Sequence, residues 1–284
     1  QGLKVIKSKK NLGLKTLLDI CNIETNPSIY HLGYLIGPRI NAGGRVGKCS
    51  HGANLLLNKD PKSSFQLALE LDQYNKERQL LEKDLLENIL NKTKVHSDDP
   101  VLILSGPNWH EGIIGIVAAR IKDKFNKPVI IISLDGNIGK ASARSIIGFD
   151  IGAVIIAATQ ENILLKGGGH KMAGGFSIKF ENIEKFKDFV FRKFRNVNVN
   201  LTAEKPLLLD SIISPSAVNL EFYNKVAKLS PFGSGNPEPK FIIENVKTIN
   251  GKIVGVNHVK SVLMGNDGSA IKCIAFNAAE NDIG

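Results

Sequence analysis

The chain has 284 residues, room for two or three domains at roughly 100–200 residues each. Hydrophobic residues make up 43% and charged residues 23%, the composition of a globular protein with true cores rather than a low-complexity or fibrous chain. Lys and Arg total 37 against 27 acidic residues, a net charge of +10 that favours polyanionic partners, nucleic acid first. Cys21, Cys49 and Cys273 are far apart and form no C-x-x-C pair, which excludes a disulfide framework and a structural zinc site and fits a cytoplasmic location. No apolar run approaches the ~18 residues of a membrane span, and no signal peptide is expected. The chain opens with Gln1 inside helical-looking sequence, so it reads as a piece of a longer protein.

Residues 1–60 mix short helical stretches with GPRINAGGRV at 37–46, whose glycines, proline and two arginines read as a loop exposing N–H groups and guanidinium groups. From about 63 to 90 a single long helix is expected. No Gly or Pro interrupts it, and Leu67, Leu71, Tyr74, Arg78, Leu81, Leu85 and Ile89 keep helical spacing. The stripe is not a strict heptad, which favours a rigid strut between two folded parts over a coiled coil.

Residues 95–195 alternate strand and helix, predicting an α/β sandwich with one sheet. Strands are expected at 101–104, 128–133 and 176–180, and helices at 112–122, 151–158 and 181–194, the last basic and amphipathic. Beyond 205, short runs at 207–212, 241–247, 252–256, 260–264 and 271–276, with a helix over 216–229, suggest a small β-barrel or sandwich.

Two nucleotide motifs fail. Gly139-Lys140 lacks the earlier Gly of a Walker A loop, since Leu134 stands there, and Ala141 replaces the Ser or Thr after the Lys; Gly233-Ser234-Gly235 lacks the third Gly of a dinucleotide fingerprint, since Glu238 occupies it. Ser142, Arg144 and Ser145 combine hydroxyls with a planar fork suited to phosphate, or are an exposed turn. Gly167-Gly168-Gly169-His170 reads as a turn that either forms an anion nest with a donating His or is simply flexible. Trp109, the sole tryptophan, either stacks on a base or anchors the core. His110 and Glu111 do not open an H-E-x-x-H site, because Ile114 stands at the second His position. His31, His51, His96, His110, His170 and His258 are not paired at ligand spacing; no Asp-x-Asp or Asp-His-His occurs, and the adjacent pair Asp98-Asp99 reads as loop. No metal site and no catalytic residue is therefore expected in this chain.

Taken in order, GPRINAGGR (37–45), the long charged helix, WHEGIIGIVAAR (109–120), SARSIIGFD (142–150), GGGHKMAGG (167–175) and PFGSGNPEP (231–239) resemble the RecJ family of single-stranded-DNA exonucleases in the DHH phosphoesterase superfamily. The resemblance implies an α/β chain. Residues 1–60 would be the tail of a DHH domain, 61–95 a connecting helix, 96–195 a DHHA1 domain, and 203–284 an OB-like β-barrel domain. It implies processive 5′→3′ cleavage of single-stranded DNA in repair and recombination, with Mn²⁺ or Mg²⁺ held by motifs outside this chain. Single-stranded DNA and the missing DHH half would be its partners. Ser142, Arg144 and Ser145 would hold the 5′ end and backbone. Gly168, Gly169 and His170 would line the cleft with Arg39, Asn41 and Arg45, while Trp109 and His110 would face the strand. Because the Asp-His-His motif is absent, this chain alone is expected to be inactive. The alternatives are a non-catalytic single-strand-binding module and a DHH-family phosphodiesterase for short oligonucleotides or cyclic dinucleotides.

Overall fold

The computed structural model of the chain describes residues 1–92, 99–197 and 207–279. The expected borders at 95–96 and 203, and His96 and Asp98, lie outside the described residues. By internal contacts the chain divides into a unit of residues 1–203 and a unit of 204–284.

The first unit opens with α1 (Gly2–Lys7), α2 (Leu12–Ile20), a π-helical stretch His31–Ile36, α3 (Gly37–Val46), α4 (His51–Leu57) and α5 (Pro61–Lys92). The expected loop at 37–46 is thus a helix. Pro38 sits where the π-helical stretch passes directly into α3. Gly43 serves close packing: a Cβ there would lie 2.8 Å from the Lys48 carbonyl and 3.2 Å from Leu71.

α5 buries Ala68 and Leu71 in a helical core with Leu17, Leu18, Ile36 and Leu55. Further along, Leu85 and Ile89 enter a second core. Both cores pack directly on one helix, and a Cβ on Gly112 would collide with the Arg45 carbonyl. The expected single long helix between two folded parts is present, and both cores pack on it, so α5 is also a wall that they share.

Next come β1 (Leu102–Pro107), α6 (Glu111–Phe125), β2 (Val129–Asp135), β3 (Ile138–Arg144), α7 (Ile151–Gln160), β4 (Lys166–His170), β5 (Ala173–Lys179) and α8 (Ile183–Arg195). The strands form one mixed sheet in the order β1-β2-β3-β5-β4, parallel only between β1 and β2. β2 reads as an unbroken apolar run because both its faces are covered. Val129 and Ile131 pack with α6 residues such as Ile113 and Val117, while Ile130 and Ile132 pack with Ile155, Phe186 and Phe189 from α7 and α8. Each such buried side chain contributes roughly 1.5–3 kcal/mol. α6 covers β2 and β3 but packs less closely on β5 and β4, so one face of the sheet stays open toward that edge.

The second unit holds β6 (Ser211–Ile212), α9 (Leu220–Ala227), β7 (Phe241–Ile242), β8 (Val246–Val254), β9 (His258–Gly265) and β10 (Ala270–Ala275). The expected helix over 216–229 is shorter, because Asn219 caps α9 by accepting from the Phe222 N–H at 3.0 Å. The expected strands at 241–247 and 252–256 become the short β7 and one long β8, which crosses a bulge between Ile249 and Lys252. Instead of a closed barrel, the described residues form an antiparallel sheet β10-β9-β8 and a separate parallel pair β6-β7.

Candidate nucleic-acid interface

β3 sets the site by simple alternation. Ala141 and Ala143 point into the core under α7 and α8, so Lys140, Ser142 and Arg144 share the opposite face. Strand register extends this face in rows. Lys140 pairs with Ser177, which pairs with Lys166; Ser142 pairs with Gly175, which pairs with Gly168; Arg144 pairs with Ala173, which pairs with His170. The result is an open groove of about 600 Å³ with a glycine floor and cationic rows on either side, lined in part by Glu111, Lys140, Ser142, Lys166, Gly168 and Gly175.

Arg144 is partly buried. It donates from Nη1 to Ser142 Oγ at 3.0 Å and to the Ala143 carbonyl at 2.8 Å, and no carboxylate pairs with it among the described residues. Burial, and then the nearby Arg45 cation, push its pKa down from the ordinary guanidinium value. An anion between these two cations would relieve that penalty. Gly115 of α6 keeps the space open: a Cβ there would lie 2.8 Å from Arg144 Nη2 and 2.9 Å from Ser142 Oγ. Arg45 is exposed and donates to the Gly112 carbonyl at 3.1 Å, which places it at the start of α6.

The Gly167–Gly169 run is a strand, not the expected turn or anion nest. Its glycines alternate in purpose. Gly168 faces the groove, where an added Cβ meets nothing within 4 Å. On the other face, a Cβ on Gly167 would lie 2.7 Å from Ile155 of α7, and one on Gly169 would lie 2.5 Å from the Ala173 carbonyl. The partner strand repeats the rule, since a Cβ on Gly174 would lie 2.5 Å from Ile155 and 2.9 Å from the Gly168 carbonyl. Gly174→Ala is therefore expected to destabilise the fold by about 1–3 kcal/mol through overpacking. Gly168→Ala should leave the melting temperature unchanged while reducing strand affinity by about 1 kcal/mol, the worth of one hydrogen bond that the added methyl would hold out of reach. Thermal melts and binding titrations of the two variants would separate these roles, and equal melting losses would refute the distinction.

The other expected site residues divide. Asn41 is exposed on α3, one turn before Arg45. His110 is exposed but caps α6, its Nδ1 accepting from the Gly112 N–H at 3.1 Å. His170 is exposed at the end of the Arg144 row. Arg39 is turned inward: Nε donates to Asp72 Oδ1 at 2.8 Å and Nη1 to the Leu35 carbonyl at 2.8 Å. Burial alone would raise the Asp72 pKa, but hydrogen bonds from Lys76 and Arg39 and their charges outweigh it and hold the carboxyl below its ordinary value. Ser145 is 1% exposed and donates to the Phe149 carbonyl at 2.6 Å, so it holds a turn and does not line the groove. Trp109 is partly buried against the α6 core with its indole over Gly106, the position of a core anchor. Sequence reasoning missed Lys140, Lys166 and Gly115. Alternation along β3 was the signal for Lys140, which an exposed ion pair to Glu111 at 2.7 Å only weakly neutralises.

Among the described residues, no three His, Cys, Asp or Glu side chains gather where they could hold a metal ion, and no helix is long and apolar enough to cross a membrane.

Residues 98–196 match the DHHA1 domain family and residues 209–283 match the RecJ OB domain family. The single-stranded-DNA-specific exonuclease RecJ of Haemophilus influenzae is 34% identical over 290 residues, covering 98% of this chain and 50% of that protein. Its counterpart in Bacillus subtilis is 29% identical over 289 residues, covering 98% of this chain and 36% of that protein. Among solved structures, RecJ of Thermus thermophilus in complex with Mg²⁺ superposes with a TM-score of 0.82 at 28% identity, over 97% of this chain and 42% of that one. The same protein has also been solved with Mn²⁺. The chain spans between about a third and half the length of these curated relatives.

Proposed function

Since this chain belongs to the RecJ family, we propose that it is the strand-gripping part of a single-stranded-DNA-specific exonuclease, working with a DHH catalytic half outside it. The observation that carries the reading is the partly buried Arg144 guanidinium. It has no carboxylate partner among the described residues, stands beside Arg45, and is hydrogen-bonded to Ser142, which lines a groove floored by Gly168 and Gly175. A phosphate fits there: Arg144 offers a planar fork, Arg45 a second positive charge, and Ser142 a hydroxyl already aligned by Arg144. The glycine floor lets the sugar-phosphate backbone lie close to the sheet, and the Lys140–Lys166 row continues the positive track.

Divalent cations belong to the whole enzyme in this reading, as Mg²⁺ and Mn²⁺ accompany the solved relatives. The described carboxylates and histidines of this chain do not fit such a group, so water activation and bond cleavage are assigned to residues outside it. Arg144 and Ser142 would seat the 5′ phosphate, and cleavage would then proceed 5′→3′, in cytoplasmic repair and recombination.

A 5′-phosphorylated single-stranded oligonucleotide titrated with this chain at several salt concentrations is expected to bind more tightly as salt falls, because phosphate contacts release counterions. No binding at low salt would refute the grip. A clean preparation supplied with Mn²⁺ is expected to leave the strand intact. Cleavage that disappears in Arg144→Ala would overturn the division of labour.

A further inference from the structure

Residues 29–46 form one continuous helical rod, π-helical over His31–Ile36 and α-helical over Gly37–Val46. Two large aromatic side chains stand in the open on it: Tyr30 is 60% exposed and Tyr34 70%. Their rings are stacked, centroids 5.1 Å apart and planes 25° apart. His31 braces Tyr30 edge-on at 5.8 Å, and is itself held by the Ser28 N–H, which donates to its Nδ1 at 2.9 Å. Tyr34 lies within the π-helical stretch, a geometry often found at functional sites, and Tyr30 directly precedes it.

The rod connects this stack to the cation pair. Arg45 lies eleven residues after Tyr34 (45 − 34), about three turns and about 16 Å along the axis at 3.6 residues per turn and 1.5 Å per residue. Tyr34, Asn41 and Arg45 thus share one exposed ridge that ends beside Arg144. Residues 25–59 contain no Asp or Glu, so the ridge carries no charge that would repel a polyanion.

We propose that Tyr30 and Tyr34 form a stacking platform for nucleobases of the single strand whose backbone is held at Arg45 and Arg144. The proposal rests on the strand-gripping reading above and adds base contact to its phosphate contact. A ring face offers every base the same π surface, so the platform is indifferent to sequence but demands an unpaired base. Tyrosine suits this, being flat and rigid, with a hydroxyl that tolerates water when no strand is bound.

The test compares two strands of equal length on the full chain, an ordinary oligonucleotide containing 2-aminopurine and one with abasic sites. For Tyr30→Ala/Tyr34→Ala, affinity for the base-bearing strand should fall by roughly 5- to 150-fold, the range for losing one stacked base. Quenching of 2-aminopurine should disappear, while abasic binding, salt slope and melting temperature stay unchanged. Phenylalanine at both positions should restore binding and quenching. Equal losses on both strands, or no loss on either, would overturn the proposal, as would Tyr variants that alter only self-association. Arg144→Ala separates the proposal from its premise: it should weaken both strands alike. If it weakens neither while the tyrosine effect persists, the phosphate grip fails and the platform stands alone.

Discussion

Arg144→Ala is expected to weaken binding of a 5′-phosphorylated single strand by about 10- to 150-fold, the equivalent of the roughly 1.5–3 kcal/mol carried by a hydrogen bond to a charged group. The slope of log affinity against log salt should become shallower by about 0.7 for each phosphate that is no longer neutralised. Arg144→Lys should recover the salt slope but not the full affinity, since an ammonium keeps the charge and loses the fork. The size of the effect follows from the setting. Arg144 is held by Ser142 Oγ and the Ala143 carbonyl before any ligand arrives, so little side-chain freedom remains to be frozen out. Its ionised form is disfavoured by burial and by Arg45, and a bound phosphate removes both penalties. Anisotropy titrations at several salt concentrations would measure this, and unchanged affinity and slope would exclude Arg144 from the grip.

The second large effect concerns the shared wall. Between the two cores the buried seam of α5 turns polar at Asp72, Asn75 and Glu82. Glu82 is 3% exposed, accepts from Arg78 Nη1 at 2.6 Å and pairs with Arg120 of α6. Arg78, 13% exposed, also donates to Asn75 Oδ1 at 3.1 Å and 3.3 Å. Glu82→Gln removes the negative charge and leaves Arg78 buried without its counter-ion, which is expected to cost about 3–5 kcal/mol of stability in urea unfolding. Replacing both partners, Arg78→Met with Glu82→Leu, should recover most of that loss, because two buried apolar groups need no counter-ion. A Glu82→Gln change within about 0.5 kcal/mol, the range of an ordinary surface substitution, would show that the cluster is solvated.

Local physics alone announced much of this molecule. The long helix was legible because residues 61–92 combine apolar spacing with freedom from interior Gly and Pro. β2 was legible because its run Val129–Ile132, covered on both faces, is apolar at every position. The net charge pointed to a polyanion before any residue was placed, and the ordered motifs pointed to the family.

Two kinds of feature were settled only by packing. Glycines at 43–44 and 167–169 read locally as loop, yet α3 and β4 are regular elements. Their glycines answer to neighbours far away in sequence, Leu71 beneath Gly43 and Ile155 beneath Gly167. The second kind is the direction in which a polar side chain points. Arg39, Arg45 and Arg144 are equivalent as letters, but Asp72 draws Arg39 inward, while Arg45 and Arg144 meet without a carboxylate partner among the described residues. Ser142 and Ser145 lie three residues apart, and strand alternation with the turn that follows sends one to the groove and the other to the Phe149 carbonyl. Composition and periodicity determined the long helix, the apolar core strand and the class of partner that the chain suits. Tertiary structure decided which cations are left without a protein partner, because charge compensation depends on distances between segments that the sequence separates.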